Sequence, residues 1–234
     1  MADLVLRVSS VRRATPGSRI VRLALEGADF PYRPGQLATI GPDDDSERIP
    51  YSIASAPEES ARHGFIEFLI KVDAAGRWGR HFQPVRRGTM MAVRGPSGSF
   101  VFPEHPSESG FLFIAGGTGI APLRSMIRHA VLSRSTGRLS LLYSAKTPRD
   151  FAYLAELRSM ARSGEIDLSL TATQEFPPRW RGKRGRIAAS ELAILVHDAA
   201  TLCFVCGPAT MVAEVPLMLR ELGIDRSRIR LEEW

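Results

Sequence analysis

Three short segments carry the residue types and spacings from which chemistry can be built. The first is Ala115-Gly116-Gly117-Thr118-Gly119-Ile120-Ala121-Pro122, which follows an apolar run. Glycines let the backbone turn tightly and approach a phosphate with no Cβ in the way. A helix opening at that point offers free N–H groups and the positive end of its dipole to an anion. Pro122 suits the first helical turn, where its missing N–H costs nothing. The second segment, Arg48-Ile49-Pro50-Tyr51-Ser52-Ile53-Ala54-Ser55, sets a guanidinium, a ring face and a hydroxyl along an extended stretch. That set suits a flat anionic ligand, although alone it equally describes a strand with an exposed tyrosine. The third is Cys203-Phe204-Val205-Cys206-Gly207-Pro208. Strand positions three apart point to opposite faces, which argues against a disulfide. Cys206, at the carboxyl end of its strand, is placed to face a ligand, whereas Cys203 belongs to the core.

The elements that must hold these segments change character along the chain. Over the first ~105 residues, short strands are expected at Leu4–Arg12, Ile20–Leu25, Gly64–Val72 and Met90–Arg94. Turns fall at Pro16-Gly17, Pro34-Gly35, Gly41-Pro42 and Gly95-Pro96, and one helix near Trp78–Val85 interrupts the strands. Many short strands at this spacing suggest an antiparallel barrel or sandwich. After the polar seam Pro103-Glu104-His105-Pro106, strands and helices alternate. Strands are expected at Phe111–Ala115, Leu139–Ser144, Ile166–Thr173, Thr201–Cys206 and Ile229–Glu232. Helices are expected at Pro122–Ser133, Asp150–Arg162, Ser190–His197 and Pro208–Leu222. This alternation implies a parallel sheet covered on both faces, which binds ligands at the carboxyl ends of its strands. Residues 1–106 and 107–234 are therefore expected to form two domains.

Composition removes several alternatives. The chain has 234 residues, 44% of them apolar, enough for real cores. Its two cysteines cannot supply a four-cysteine iron–sulfur or zinc site. The five histidines show no H-E-x-x-H or paired spacing, so no metal is expected. No apolar run reaches the ~18 residues of a membrane span, and the start lacks the basic and long apolar regions of a signal peptide. A cytoplasmic setting and a monomer are expected. Net charge is +6, and only Lys71, Lys146 and Lys183 among the 31 basic residues are lysines. An arginine-biased genome explains this as well as attraction to anionic partners does. The run Trp180-Arg181-Gly182-Lys183-Arg184-Gly185-Arg186 fits a site beside a dinucleotide ribose or a solvated loop better than a nucleic-acid patch.

Taken in order, R-x-x-Y-S, G-x-x-G, G-P-S-G-x-F, G-G-T-G-I-A-P, C-G-P and a terminal E-x-W resemble the ferredoxin–NADP⁺ reductase family of flavoproteins, from Pro34-Gly35-Gln36 to Trp234. The resemblance implies a six-stranded antiparallel FAD-binding β-barrel with one helix, followed by a Rossmann-like parallel α/β domain for NAD(P). It implies hydride transfer from NADH or NADPH to flavin, and onward transfer of electrons to an acceptor protein. Tyr51 would stack on the flavin, Ser52 would hydrogen-bond near its N5, and Ile53 would line the same site. Arg48 would pair with the FAD pyrophosphate. Leu69, Ile70 and Lys71 would line the flavin through their backbone. Gly76, Trp78 and Gly79 would open the barrel helix toward the pyrophosphate. Thr118 would touch flavin and nicotinamide. Gly117, Gly119 and Pro122 would form the NAD(P) pyrophosphate turn. Cys206, Gly207 and Pro208 would lie by the nicotinamide. Glu232 matches the family's carboxylate near the active centre, and Trp234 the aromatic that covers the flavin. Ser52, Cys206 and Glu232 are the expected catalytic residues.

The sequence departs from the family pattern in three places. Arg48 stands three residues before Tyr51 where relatives carry arginine two before, an offset that changes faces in a strand. Gly79 stands where a serine or threonine is usual. The cysteine-ligated ferredoxin module fused to many relatives is missing, so electrons are expected to leave directly for a small molecule or a separate protein (ferredoxin, flavodoxin, or an oxygenase or cytochrome component), and the +6 charge leads to the expectation that a protein acceptor is acidic. Lys146, Arg149 and Asp150 fall where such folds read the adenosine ribose. The lysine and arginine favour a 2′-phosphate and Asp150 a hydroxyl, while neutral Gln174 after Thr171-Ala172-Thr173 tips the balance to NADH. The rival readings are a non-catalytic flavin-binding redox sensor, a regulatory electron-transfer subunit, and a nucleic-acid-binding protein.

Overall fold

The computed structural model describes residues 2–43, 48–72, 85–135 and 137–233. The expectations for Gly76, Trp78 and Gly79, for the helix near 78–85 and for Trp234 lie outside the described residues. The chain divides into two compact units: Met1–Phe102 with Arg124–Ser133, and Pro103–Leu123 with Arg134–Trp234.

In the first unit, six strands among the described residues form one antiparallel sheet. They are β1 (Ala2–Thr15), β2 (Ser18–Ala24), β3 (Leu37–Pro42), β4 (Ile49–Ser52), β5 (Phe65–Lys71) and β6 (Met90–Ser97). Their order is β4-β3-β6-β1-β2-β5. An antiparallel bridge from Ile53 to Phe68 ties the end of β4 back to β5, so the sheet nearly closes into a barrel. Closure is driven by the inward side chains: Leu6, Val8, Leu23, Ile40, Phe68 and Val93 meet in one buried cluster, and each fully buried aliphatic or aromatic chain contributes about 1.5–3 kcal/mol.

A helix not expected from the sequence, α1 (Pro57–His63), lies between β4 and β5. Its signals are nonetheless present. Pro57 opens the first turn, the Glu59 carboxylate reaches back to accept the Ala56 N–H at 2.9 Å, and Gly64 closes the helix at φ 67°.

The second unit holds β7 (Gly110–Gly116), α2 (Ile120–Leu132), β8 (Arg138–Ala145), α3 (Leu154–Arg162), β9 (Asp167–Ala172), β10 (Lys183–Arg184), α4 (Ala189–Leu195), β11 (Leu202–Gly207), α5 (Ala209–Glu221) and β12 (Ile229–Glu233). The sheet order is β10-β9-β8-β7-β11-β12, and every pairing is parallel. The first strand, β7, sits between β8 and β11, so successive crossovers leave it in opposite directions. Ligands of such sheets bind at the carboxyl ends beside that reversal. β7 is buried along its whole length, as a doubly covered strand must be. Helix α3 starts at Leu154 rather than Asp150. The Asp150 carboxylate accepts from the Thr147 N–H at 3.0 Å and its hydroxyl at 2.8 Å, holding a turn instead of a helix. The two-residue β10 was not expected either.

The later turns of α2, grouped with the first unit, are moored by a buried charge cluster. Arg124, 7% exposed, donates to the Ala54 carbonyl at 2.7 Å and to Glu59 at 3.1 and 3.3 Å. Arg128 donates to Glu59 at 3.0 Å. Glu67, 1% exposed, accepts from Arg22 at 2.7 Å.

Candidate functional site

In the second unit, the carboxyl ends of the strands open into a cleft of about 500 Å³. Gly116 and Gly117 form part of its lining. Ser144, Ala145 and Lys146 after β8, and Thr173 and Gln174 after β9, form one wall. Pro208, Met211 and Glu214 from the start of α5 form the facing wall, and Gly185 and Arg186 after β10 complete it. Of the residues expected to read the adenosine ribose, Lys146 lines the cleft. Arg149 and Asp150 are not among its lining residues, and Asp150 is committed to Thr147. The basic run is likewise divided. Trp180 is buried and stacks on Phe151 at 5.6 Å, donating its indole N–H to the Lys183 carbonyl at 3.0 Å, while Gly185 and Arg186 reach the cleft.

The glycine turn runs as expected from β7 into α2. Gly117, Thr118 and Gly119 make a single 3₁₀ turn, with Gly117 at φ 53°, a conformation that favours glycine. Gly119 and Pro122 are buried, and Thr118 is half-buried. The end of β11 lies close to the end of β7, and a side chain at either glycine would crowd the residues that open α5. A Cβ on Gly207 would lie 2.7 Å from Met211 Sδ and 3.3 Å from the Gly116 Cα; one on Gly116 would lie 2.8 Å from Pro208 Cδ.

Tyr143, which sequence reasoning missed, holds this turn from behind. Fully buried on β8, it donates its hydroxyl to the Gly117 carbonyl at 2.9 Å and accepts from the Ala152 N–H at 3.1 Å. The LLYSA run of β8 read only as an apolar strand; a lone tyrosine in it was the available signal.

The cysteines are free and buried. Cys203 packs among Leu112, Val205 and Val215, and burial pushes its thiol up to about 12. Cys206 stands opposite Glu232 in the β11–β12 ladder and donates its S–H to that carboxylate at 3.7 Å. Burial, then the adjacent negative charge, raise its thiol well above the ordinary range, so it is a neutral donor at physiological pH. Fold and register thus bring together the cysteine and glutamate that the sequence places 26 residues apart.

In the first unit, β4 carries the other expected set. Tyr51 and Ser52 are half-buried, pairing with Ala38 and Leu37 of β3, and burial raises the Tyr51 phenol. Arg48 donates to Asp3 at 2.9 Å. Ile53, Leu69 and Ile70 are buried, and Lys71 is exposed at the end of β5. A ring face, a hydroxyl and a guanidinium on one short edge segment suit a flavin and its diphosphate. The glycine-lined cleft with Lys146 and Arg186 suits a dinucleotide with a diphosphate.

Comparison with known proteins agrees with both halves. Residues 6–102 match the oxidoreductase FAD-binding domain, and residues 113–216 match the oxidoreductase NAD-binding domain. Fold and site together define a flavin- and pyridine-nucleotide-dependent oxidoreductase. The chain is 33% identical to ferredoxin–NADP reductase B of Sorangium cellulosum, over 97% of this chain and 96% of that protein. It is 31% identical to the reductase component of propane 2-monooxygenase from Rhodococcus jostii, over 99% of this chain and 64% of that protein. The fold superposes on a ferredoxin NADP⁺ reductase from Neisseria gonorrhoeae with bound FAD and NADP, with a TM-score of 0.80, 17% identity and 100% and 99% coverage. The chain belongs to the ferredoxin–NADP⁺ reductase family; it is an FAD-dependent NAD(P)H oxidoreductase.

Proposed function

We propose that this protein takes reducing equivalents from NAD(P)H and delivers them to an acceptor protein outside its two domains, a ferredoxin-like carrier or an oxygenase component. The observation that carries this reading is the cleft at the carboxyl ends of β7, β8, β9 and β11, with the Cys206–Glu232 pair on the strands beside it. FAD, when bound, supplies the conversion between two-electron and one-electron chemistry. The protein's own residues bind and orient. Tyr51 offers a ring face and Ser52 a hydroxyl to the flavin, Ile53 packs behind them, and Leu69, Ile70 and Lys71 offer backbone groups. Arg48, which shares Asp3 with Arg94, offers charge to the FAD diphosphate. Gly117, Gly119 and Pro122 present backbone to the nicotinamide dinucleotide's diphosphate, with Thr118 in the same turn. Gly207 and Pro208 leave room beside Cys206 for the nicotinamide. Cys206 stays protonated and donates, and Glu232 holds that thiol in place.

Residues 1–106 are assigned to flavin and 107–234 to NAD(P). Among the described residues no helix is long and apolar enough to cross a membrane, and we place the protein in the cytoplasm as a monomer. Its +6 charge favours an acidic acceptor, whose encounter then slows as salt shortens the Debye length to roughly 10 Å at 0.1 M.

An anaerobic visible spectrum tests the reading. The purified protein is expected to be yellow, with one FAD per chain, and to bleach rapidly on adding NADH or NADPH. A flavin that stays oxidised with both would replace the reductase by a sensor.

A further inference from the structure

Within the cleft, Arg186 and Glu214 face each other from different elements. Arg186 follows β10 and Glu214 lies on α5, 28 residues later, and the guanidinium donates to the carboxylate at 3.4 Å. Both side chains are well exposed, at 71% and 54%. A pair of this length and exposure is weak and readily exchanged for another partner. The other cation lining the cleft is Lys146, which pairs with no carboxylate among the described residues. Lys146 and Arg186 therefore border the same space, but Arg186 has a carboxylate on it.

We propose that Glu214 sets the coenzyme preference by holding Arg186 and placing a negative charge in the cleft, so that a dinucleotide with a free 2′-hydroxyl is favoured over one with a 2′-phosphate. The inference rests on the cleft being the dinucleotide site. A 2′-phosphomonoester carries close to two negative charges at neutral pH. To use Arg186 it must displace Glu214, and it then sits beside a repelled carboxylate. A ribose hydroxyl meets neither obstacle. Removing the Glu214 charge releases Arg186 and ends the repulsion. In water-like surroundings each unit-charge interaction is small, so the expected gain for the phosphorylated ligand is about three- to tenfold.

The test uses the FAD-loaded full chain and two probes, adenosine 5′-diphosphate and adenosine 2′,5′-bisphosphate, titrated calorimetrically at low salt. In Glu214→Gln, affinity for the bisphosphate relative to the diphosphate is expected to rise about three- to tenfold, with the gain shrinking in 0.5 M salt as charges are screened. In the double variant Glu214→Gln/Arg186→Ala the gain is expected to shrink to the part that comes from lost repulsion alone. A ratio unchanged within about twofold in Glu214→Gln, or a gain undiminished by loss of Arg186, overturns the proposal while leaving the cleft assignment intact. Failure of the unaltered protein to bind either probe overturns the cleft assignment itself. The exposed positions of both residues keep the variants folded, which a thermal melt of each verifies.

Discussion

Replacing Tyr143 by phenylalanine isolates one oxygen behind the glycine turn. The ring would keep its edge-to-face contact with Phe151, at 4.9 Å and 87°, so packing is preserved. Two hydrogen bonds are lost, one from the tyrosine hydroxyl to the Gly117 carbonyl and one to it from the Ala152 N–H. The Ala152 N–H is buried and has no route to water, which costs about 1–3 kcal/mol. The Gly117 carbonyl is partly buried and costs less, about 0.5–1.5 kcal/mol. The expected loss is about 2–4 kcal/mol of stability, read from urea unfolding of the FAD-loaded protein. A second effect separates positioning from mere stability. Gly117, held at φ 53°, loses the bond that fixes its peptide plane, so KM for the nicotinamide coenzyme is expected to rise several-fold while FAD content and kcat change little. A loss below about 0.5 kcal/mol together with an unchanged KM would refute the argument that this hydroxyl fixes the turn.

Tyr51→Ala is expected to weaken FAD binding by about 1–3 kcal/mol through lost stacking, measured as the dissociation constant of FAD from the apoprotein; undiminished retention would remove Tyr51 from the flavin site. Cys206→Ala should slow flavin bleaching by NAD(P)H in stopped-flow experiments, while Cys203→Ala should lower stability by about 1 kcal/mol and leave that rate alone. Neither thiol in the folded protein should react with a disulfide reagent at neutral pH, since both are buried and protonated. Acid should act through Glu59. Burial alone would raise its carboxyl, but Arg124 and the Ala56 N–H outweigh that and lower it. A lowered folded value means that Glu59 stabilises the protein above the ordinary glutamate value near ~4.3. That contribution is lost as pH falls through the lowered folded value. Glu59→Gln is therefore expected to flatten the fall in stability as the pH drops below the ordinary glutamate value; an unchanged slope would show that the cluster around Arg124 does not govern acid stability.

Much of this architecture could be read from the chain because local and tertiary signals agree there. The run Phe111–Ala115 is apolar along its length and ends in glycines, so both the doubly covered strand β7 and its turn into α2 were legible. Strand parity also sets Cys203, in the core cluster, apart from Cys206 beside Glu232, although both are buried. Other features needed three dimensions. Helix α1 carries a proline start and a glycine stop, but it is one short helix set among strands, and the surrounding strand pattern masked it. Asp150 reads as a ligand carboxylate in sequence, yet the nearest donors are those of Thr147, three residues earlier, and local hydrogen bonding takes precedence. The Arg186–Glu214 pair joins an irregular basic run to a helix face, and no periodicity connects residues that far apart.

The ends of the parallel sheet have a bearing on how this chain behaves when crowded. An unpaired strand edge is a template on which another chain can add. Here one edge is β10, only two residues long and made of Lys183 and Arg184. An incoming strand finds two positions to pair with and two positive charges repelling its own copy of the same segment. The opposite edge, β12, carries Arg230, Glu232 and Glu233 within five residues. The barrel sheet answers the same hazard by nearly closing through Ile53 and Phe68. Both sheets are thus guarded against edge-to-edge aggregation, one by charge and brevity and the other by curvature.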